Sequence, residues 1–468
     1  MNSLSFNTFF SALPERTVCF AANAVVTQSM ILAHVRILSK ELSDSPHQYW
    51  VLASDTTVNF LCGFLALLVA GKEILLPPNN LSGTINETLV GAKALLTDLD
   101  IDTHLPRIML ADCQKGGSIR VSRASETSAP IKLDVNNLFI QICTSGSTGE
   151  PKQIRKSLAT LEKELQSLES LWGDSVNDKI FISTVSHQHI YGLLFRVLWP
   201  LLSARVFIDE NVEYPEQIES LSNRYGELVL VSSPAYLKRM SDVLDQECVS
   251  QTLNTIYSSG GPLAHETAVT YAERFNVTPM EVLGSTETGG IAYRQQLAGQ
   301  DVLWQRFDEV EIRRQDKTGA LAIRSPFCFT QDWYEMGDAV ELVDDSRFNL
   351  LGRVDRIVKL EEKRISLDRM ESVLAQNSLI EQVKVIVLEG YRTILGAVCV
   401  LTEAGREKLA LSDRREFSNQ LREYLAAYFD RVTLPRKWRY IADFPYNAQG
   451  KITHADLAKL FDDKGGRQ

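Results

Sequence analysis

Short runs rich in β-branched residues alternate with longer amphipathic stretches over much of this chain, and that alternation limits the folds open to it. Tyr49-Trp-Val-Leu-Ala53, Lys72-Glu-Ile-Leu-Leu76, Leu138-Phe-Ile-Gln-Ile142, Lys179-Ile-Phe-Ile-Ser183 and Glu227-Leu-Val-Leu-Val231 read as strands. Thr57 to Ala70 and Leu158 to Leu171 read as helices between them. Strands alternating with helices build parallel sheets, because each parallel connection needs a crossover and the crossover helix covers the sheet face. The expected fold class is α/β. From Val302 to Ile323 the periodicity shifts toward strict alternation, which predicts a smaller β-rich subdomain there.

No internal repeat, low-complexity segment or Pro/Ser-rich linker marks a boundary, so the boundary is expected at a compact hinge. Charge places it. Residues 356–468 contain 20 Lys+Arg and 16 Asp+Glu, a balance of +4, which leaves −14 for residues 1–355 out of the net −10. The basic part begins just after Asp355. The same net charge argues against nucleic acid as a general partner. The longest apolar stretch, Phe60 to Ala70, is too short to span a bilayer, and Met1 to Phe20 has no basic region leading into a long apolar run. The expectation is a cytoplasmic protein without a membrane span. Cysteines 19, 62, 113, 143, 248, 328 and 399 are scattered, odd in number and form no C-x-x-C pair, which suggests neither a disulfide framework nor a zinc site.

The segment Thr144-Ser-Gly-Ser-Thr-Gly-Glu-Pro-Lys152 follows the predicted strand Leu138–Ile142 and has the make-up of a phosphate-gripping loop. Gly146 and Gly149 allow positive φ and close approach of the backbone to an anion. Thr144, Ser145, Ser147 and Thr148 offer hydroxyls beside backbone N–H groups that form an anion nest. Lys152 adds a charge. Pro151 before the lysine excludes the nucleotide loop G-x-x-x-x-G-K-[ST], and a serine-rich surface loop is the plain alternative.

The segment resembles the signature loop of the adenylate-forming superfamily, which includes acyl- and aryl-CoA synthetases, peptide-synthetase adenylation domains and luciferase. Further segments match in the family's order. Leu283-Gly-Ser-Thr-Glu287 resembles its aromatic-Gly-x-Thr-Glu element and Tyr334-Glu-Met-Gly-Asp338 its Tyr-x-x-Gly-Asp element. Gly352-Arg-Val-Asp-Arg-Ile-Val-Lys359 resembles the Gly-Arg-x-Asp hinge, and Pro445-Tyr-Asn-Ala-Gln-Gly-Lys451 the C-terminal Pro-x4-Gly-Lys loop. The resemblance runs from about Val51 to Lys451. It implies an acyl-CoA synthetase-like fold: a large multi-subdomain N-terminal domain over 1–354, with parallel sheets covered by helices, that binds ATP and the acid. A small, mobile α+β C-terminal domain over 355–468 would carry the catalytic lysine and rotate between two half-reactions.

The implied chemistry assigns roles. A carboxylate is a poor electrophile, so attack on the α-phosphate of ATP makes an acyl-adenylate that a thiol can open. Charge builds on the phosphate as pyrophosphate leaves, so the site needs preorganised cations and Mg²⁺ more than a protein base. Glu287 is the candidate Mg²⁺ ligand, a hard oxygen donor on a Gly284-Ser285-Thr286 turn. Thr286 and Thr148 would contact phosphate oxygens. Asp338, after a glycine that permits a turn, would accept the ribose hydroxyls, and Arg353 would contact ribose or phosphate. Lys451 would bridge acid and α-phosphate during adenylation. Ser259-Gly260-Gly261-Pro262 resembles the turn that lies along the purine, with Leu283 standing where most members stack an aromatic ring on the base. Such stacking is worth roughly 1–3 kcal/mol, so a weaker nucleotide KM is expected. Met336 replaces the more usual threonine.

Ser186-His-Gln-His-Ile-Tyr-Gly192 resembles the His-x-x-Gly segment of acyl- and aryl-CoA synthetases, with His189 at the pocket wall. His187 or His189 could equally be a hydrogen-bonded core histidine. No aspartate lies between Phe181 and Gly192 to pair with an α-ammonium group, whose unpaired burial is costly. The resemblance therefore implies an AMP-forming ligase for an aryl or acyl acid, with CoA or the phosphopantetheine of an acidic acyl carrier protein as thiol acceptor. Glu362 occupies the usual glycine position of the Lys-x-x-Gly-x-Arg-Ile element, beside the expected pantetheine tunnel, and together with Glu361 disfavours the phosphate-rich end of CoA. Arg431, Arg436, Lys437 and Arg439 could form a docking surface for a carrier protein. The alternatives are a stand-alone amino-acid adenylation protein and a degenerate adenylate-binding protein.

Overall fold

The computed structural model describes residues 4–11, 15–22, 24–88, 94–110, 131–144, 152–241, 243–244, 246–300, 302–360, 363–388, 393–446 and 452–462. The chain divides into two compact units: residues 1–311 with 324–333, and residues 312–323 with 334–468. Asp355 falls inside the second unit. No described helix is long and apolar enough to cross a membrane.

The first unit holds strands β1 (Thr17–Ala21), β2 (Ala24–Thr27), β3 (Tyr49–Ala53), β4 (Glu73–Leu76), β5 (Ala94–Thr97), β6 (Arg107–Met109), β7 (Phe139–Thr144) and β8 (Lys152–Ser157). It continues with β9 (Ile180–Ser183), β10 (Phe207–Asn211), β11 (Leu228–Ser232), β12 (Leu253–Ser258), β13 (Met280–Ser285), β14 (Gly289–Gln295) and β15 (Trp304–Arg306). One sheet has the order β6-β5-β3-β4-β7-β8 and is parallel except for the β7–β8 hairpin. A second runs β15-β14-β13-β12-β11-β9-β10-β1-β2, with a parallel centre and antiparallel margins. The five strands expected from composition all form, displaced by at most a residue or two at their ends.

Two helices show why the pattern was readable. Thr57–Val69 is apolar all round and correspondingly buried from Thr57 to Leu68, with the Thr56 side chain capping its start by accepting from Asn59 N. Leu158–Trp172 is amphipathic. Its buried stripe is Leu158, Leu161, Leu165, Leu168 and Trp172, and Ser157 caps it by accepting from Thr160 N at 3.2 Å. Glu164 lies on the same buried side. The free cysteines Cys19, Cys62, Cys143, Cys328 and Cys399 are all buried, Cys399 in the second unit.

In the second unit, strand Tyr334–Leu342 pairs antiparallel with Arg347–Arg353 and with Ala320–Arg324. Further on, Ile380–Leu388 and Ile394–Leu401 pair antiparallel, and Lys437–Ile441 adds in parallel. A core that includes Met370, Leu374, Val385, Ala397, Leu421 and Leu425 joins this sheet to the helices Leu367–Ala375 and Arg414–Ala426. The α+β character expected of the C-terminal part is present.

Candidate active site

The β7–β8 hairpin carries the ends of the segment expected to grip phosphate. Thr144 and Lys152 are register partners at its mouth. Ser145, Gly146, Ser147, Thr148 and Gly149 lie outside the described residues, as do Lys451, Glu361 and Glu362. Lys152 is exposed at the start of β8.

The turn expected along the purine follows β12. Gly260 has φ +88°, which a side chain would strain, and Gly260, Gly261 and Pro262 are exposed. Ser259 Oγ donates to Val282 O at 2.8 Å and ties the turn to β13, beside Leu283. β13 ends at Ser285, and residues 286–288 turn into β14.

That turn is stitched internally. Thr288 Oγ1 accepts from Ser285 N at 3.1 Å and donates to Gly289 O at 2.9 Å, while Thr288 N donates to Ser285 Oγ at 3.3 Å. Ser285 is thus part of the turn's scaffold. Glu287 is half-buried at the apex, and its carboxylate has no hydrogen bond or ion pair among the described residues. No group of three or more His, Cys, Asp or Glu side chains fit to hold a metal occurs among them. Mg²⁺ does not need one: it keeps several waters and binds one or two carboxylates together with substrate phosphates. A single half-buried carboxylate, whose charge acts on the Lys156 ammonium behind it, fits that requirement.

Behind the turn the core is polar. Lys156 on β8, fully buried, donates from Nζ to Glu287 O at 3.1 Å and to Phe327 O at 2.8 Å. Glu164 Oε1 accepts from Gly290 N at 2.7 Å, and its Oε2 has no partner among the described residues. Burial pushes the Lys156 ammonium down from its ordinary value and the Glu164 carboxyl up, and each partly offsets the other. Gly289 has φ +69°, and a Cβ there would lie 2.5 Å from Glu164 Oε2. Motif reasoning missed Lys156, Glu164 and Thr288, although a glutamate in the apolar stripe of a helix was a visible signal.

His187 and His189 have different surroundings. His187 is buried, faces Ser54 O through Nε2 at 3.1 Å and Thr57 Oγ1 through Nδ1 at 3.3 Å, and packs on Phe60 with ring centroids 4.4 Å apart. Burial, helped by the charge of Arg196, lowers its pKa to about 3, so it is a neutral core histidine. Arg196 is itself buried and donates to Val185 O, Asp209 O and Asn211 Oδ1, which ties the chain at Val185 to β10. His189 is exposed and stands at the N-cap of the short helix Ile190–Gly192.

In the second unit, Asp338 and Arg353 are register partners on adjacent strands. Gly337 is not at a turn, as the sequence suggested. It lies within the strand Tyr334–Leu342, and its missing side chain makes room for Arg353, whose Nη2 lies 2.6 Å from where a Cβ would be. Of the basic residues proposed for docking, Arg431 is held by both oxygens of Glu423, and Arg439 donates to Leu460 O and Trp438 O. Arg436 and Lys437 remain exposed.

The profile of a family described as AMP-binding enzyme matches residues 36–326. The chain belongs to that family. This AMP-binding enzyme is 26% identical over 323 residues to a 4-coumarate–CoA ligase of Cereibacter sphaeroides, a match covering 66% of this chain and 69% of the ligase. It is 22% identical over 361 residues to a D-alanine–D-alanyl carrier protein ligase of Staphylococcus aureus, covering 69% of this chain and 72% of the relative. Its fold is similar to that of ATP-bound MatB from Rhodopseudomonas palustris, with a TM-score of 0.82 and 18% identity over 99% of both chains. The adenylate-forming superfamily and the acyl-CoA synthetase-like α/β fold implied by the motifs are those of this AMP-binding enzyme.

Proposed function

We propose that the protein is an AMP-forming ligase that activates an aryl or acyl carboxylic acid with ATP and passes the acyl group to a pantetheine thiol, of CoA or of an acyl carrier protein. The observation that carries this reading is Glu287, a half-buried carboxylate on a turn stitched by Ser285 and Thr288 and backed by Lys156. Family membership supplies its context. Glu287 is the residue that would hold Mg²⁺, which when bound neutralises phosphate charge as pyrophosphate departs. Thr148, Thr286 and the N–H groups of the loop between Thr144 and Lys152 would orient the phosphates. Asp338 would accept the ribose hydroxyls, and Arg353, braced across Gly337, would hold ribose or phosphate. Leu283 would form the apolar floor for the base. Lys451 would meet the charge that develops as a carboxylate oxygen bonds to the α-phosphorus and the bond to pyrophosphate breaks.

An acid without an α-amine is favoured because no aspartate lies between Phe181 and Gly192. Asp209, packed near that segment, already accepts from Val58 N at 2.8 Å. The test is ATP–pyrophosphate exchange across a panel of aryl, acyl and amino acids, with mass spectrometry for the acyl-AMP. Exchange with aryl or medium-chain acyl acids is expected. Exchange restricted to amino acids would favour the amino-acid adenylation reading suggested by the D-alanine-activating relative. No exchange and no acyl-AMP with any acid would overturn both.

A further inference from the structure

The buried pair behind the Glu287 turn has no part in the roles assigned so far. Lys156 and Glu164 come from consecutive elements, strand β8 and the helix Leu158–Trp172, and reach the connection between β13 and β14 and the start of β14 respectively. Lys156 Nζ holds the backbone carbonyl of Glu287 at 3.1 Å, on the residue that would bind the metal. Glu164 Oε1 holds the amide of Gly290 at 2.7 Å, three residues further on. The turn is therefore gripped at its apex by the Lys156 side chain and at its exit by the Glu164 carboxyl group. The glycine between them at position 289 has the positive φ and bare Cα that let the carboxylate approach.

An apolar core would have backed this turn equally well for stability alone, since replacing buried charged groups by packed hydrophobic groups is often neutral or favourable. What such a pair adds is direction. Charge-assisted hydrogen bonds to two backbone groups define the turn's height and tilt, which loose apolar packing does not. The Lys156 ammonium also joins the far end of the phosphate hairpin's second strand to the Glu287 turn, so two segments that would contact one nucleotide share one cation.

We propose that Lys156 and Glu164 are positioning residues that aim the Glu287 carboxylate at the Mg²⁺ of the bound nucleotide. The inference rests on the nucleotide and metal reading above, and its test is kept separate from the acid chemistry. Binding of ATP to the full chain is measured by calorimetry as Mg²⁺ is varied, in wild type, Lys156→Met, Lys156→Arg, Glu164→Gln and Glu287→Gln. Hydrogen exchange of the peptide covering 283–291 and thermal unfolding are recorded in parallel. Loss of an outer partner of a metal-binding carboxylate commonly costs 10–100-fold in metal affinity, so the Mg²⁺ half-saturation should rise by about 10-fold in Lys156→Met. Metal-free ATP affinity should stay within about twofold, since the phosphate hairpin is intact. Lys156→Arg should recover part of the loss, and the double variant Lys156→Met/Glu287→Gln should be no worse than Glu287→Gln alone. Exchange in 283–291 should accelerate in Lys156→Met and Glu164→Gln.

If Lys156→Met does not fold, Glu164→Gln and Lys156→Arg decide the matter by the same shift in Mg²⁺ response. A lower thermal midpoint with an unchanged Mg²⁺ half-saturation in the folded variants would overturn the proposal and leave the pair a structural filler. Absence of acid-dependent exchange would strike the ligase reading alone, because the Mg²⁺ titrations read the positioning role without it.

Discussion

At the residue scale, the roles of Glu287 and Asp338 separate by their response to metal. Glu287→Ala should act through Mg²⁺, so raising Mg²⁺ should partly restore pyrophosphate exchange. Asp338→Ala should weaken ATP binding with no such rescue, and identical Mg²⁺ profiles for the two variants would reverse the assignment. His187 offers a prediction about stability. Its folded pKa of about 3 lies below the ordinary histidine value near 6.5, so the native state keeps it neutral while the unfolded chain binds a proton on acidification. Its contribution is fully present above about pH 6.5 and is lost progressively as pH falls toward 3, at up to about 1.4 kcal/mol per pH unit. Urea unfolding at pH 7.5 and pH 5 should show a shallower fall in His187→Gln, which retains an N–H for Ser54 O. An unchanged slope would show that His187 titrates normally in the fold.

At the element scale, Gly192 joins the loop of the His-x-x-Gly segment to the helical run that follows. An added Cβ there would overlap the carbonyl oxygen of Ser186, a backbone atom with no rotamer to escape into. Gly192→Ala should cost at least about 2 kcal/mol by chemical unfolding. Gly261→Ala, whose Cβ would meet nothing nearer than Pro234 Cγ at 4.0 Å, should stay within about 0.5 kcal/mol of wild type. Near-equal stabilities would contradict the geometry. Elements were the most legible part of this sequence, because β3, β9 and β11 are buried strands with an unbroken apolar run and Thr57–Val69 is apolar on every side. Motif order marked the turns around Ser259 and Glu287 and the strand that carries Asp338, since each uses distinctive residue types. What escaped was whatever depends on tertiary approach. Lys156 looks like a solvated strand lysine until the fold places two carbonyls against it, and the reason for a glycine at 337 appears only when Arg353 is seen lying across it.

At the scale of the whole molecule, the separation of charge along the chain bears on the acceptor. Carrier proteins are acidic, and the exposed Arg436 and Lys437 are the two members of the predicted basic patch whose side chains are not held by Glu423 or by backbone carbonyls. Arg436→Glu/Lys437→Glu should slow acyl transfer to a holo-carrier protein by about tenfold at low salt and leave transfer to CoA unchanged. Equal use of both acceptors with no salt dependence would remove the carrier protein as a partner. The pair behind the Glu287 turn has a consequence on another timescale. Lys156 and Glu164 are both buried without a direct ion pair, and each feels the other's charge, so removing one leaves the other less compensated in the core, whereas exchanging both together for apolar residues relieves that cost. A single replacement at Lys156 or at Glu164 is therefore expected to be harder to accept than a matched double replacement, which ties the two positions together in any stepwise change of the turn they carry.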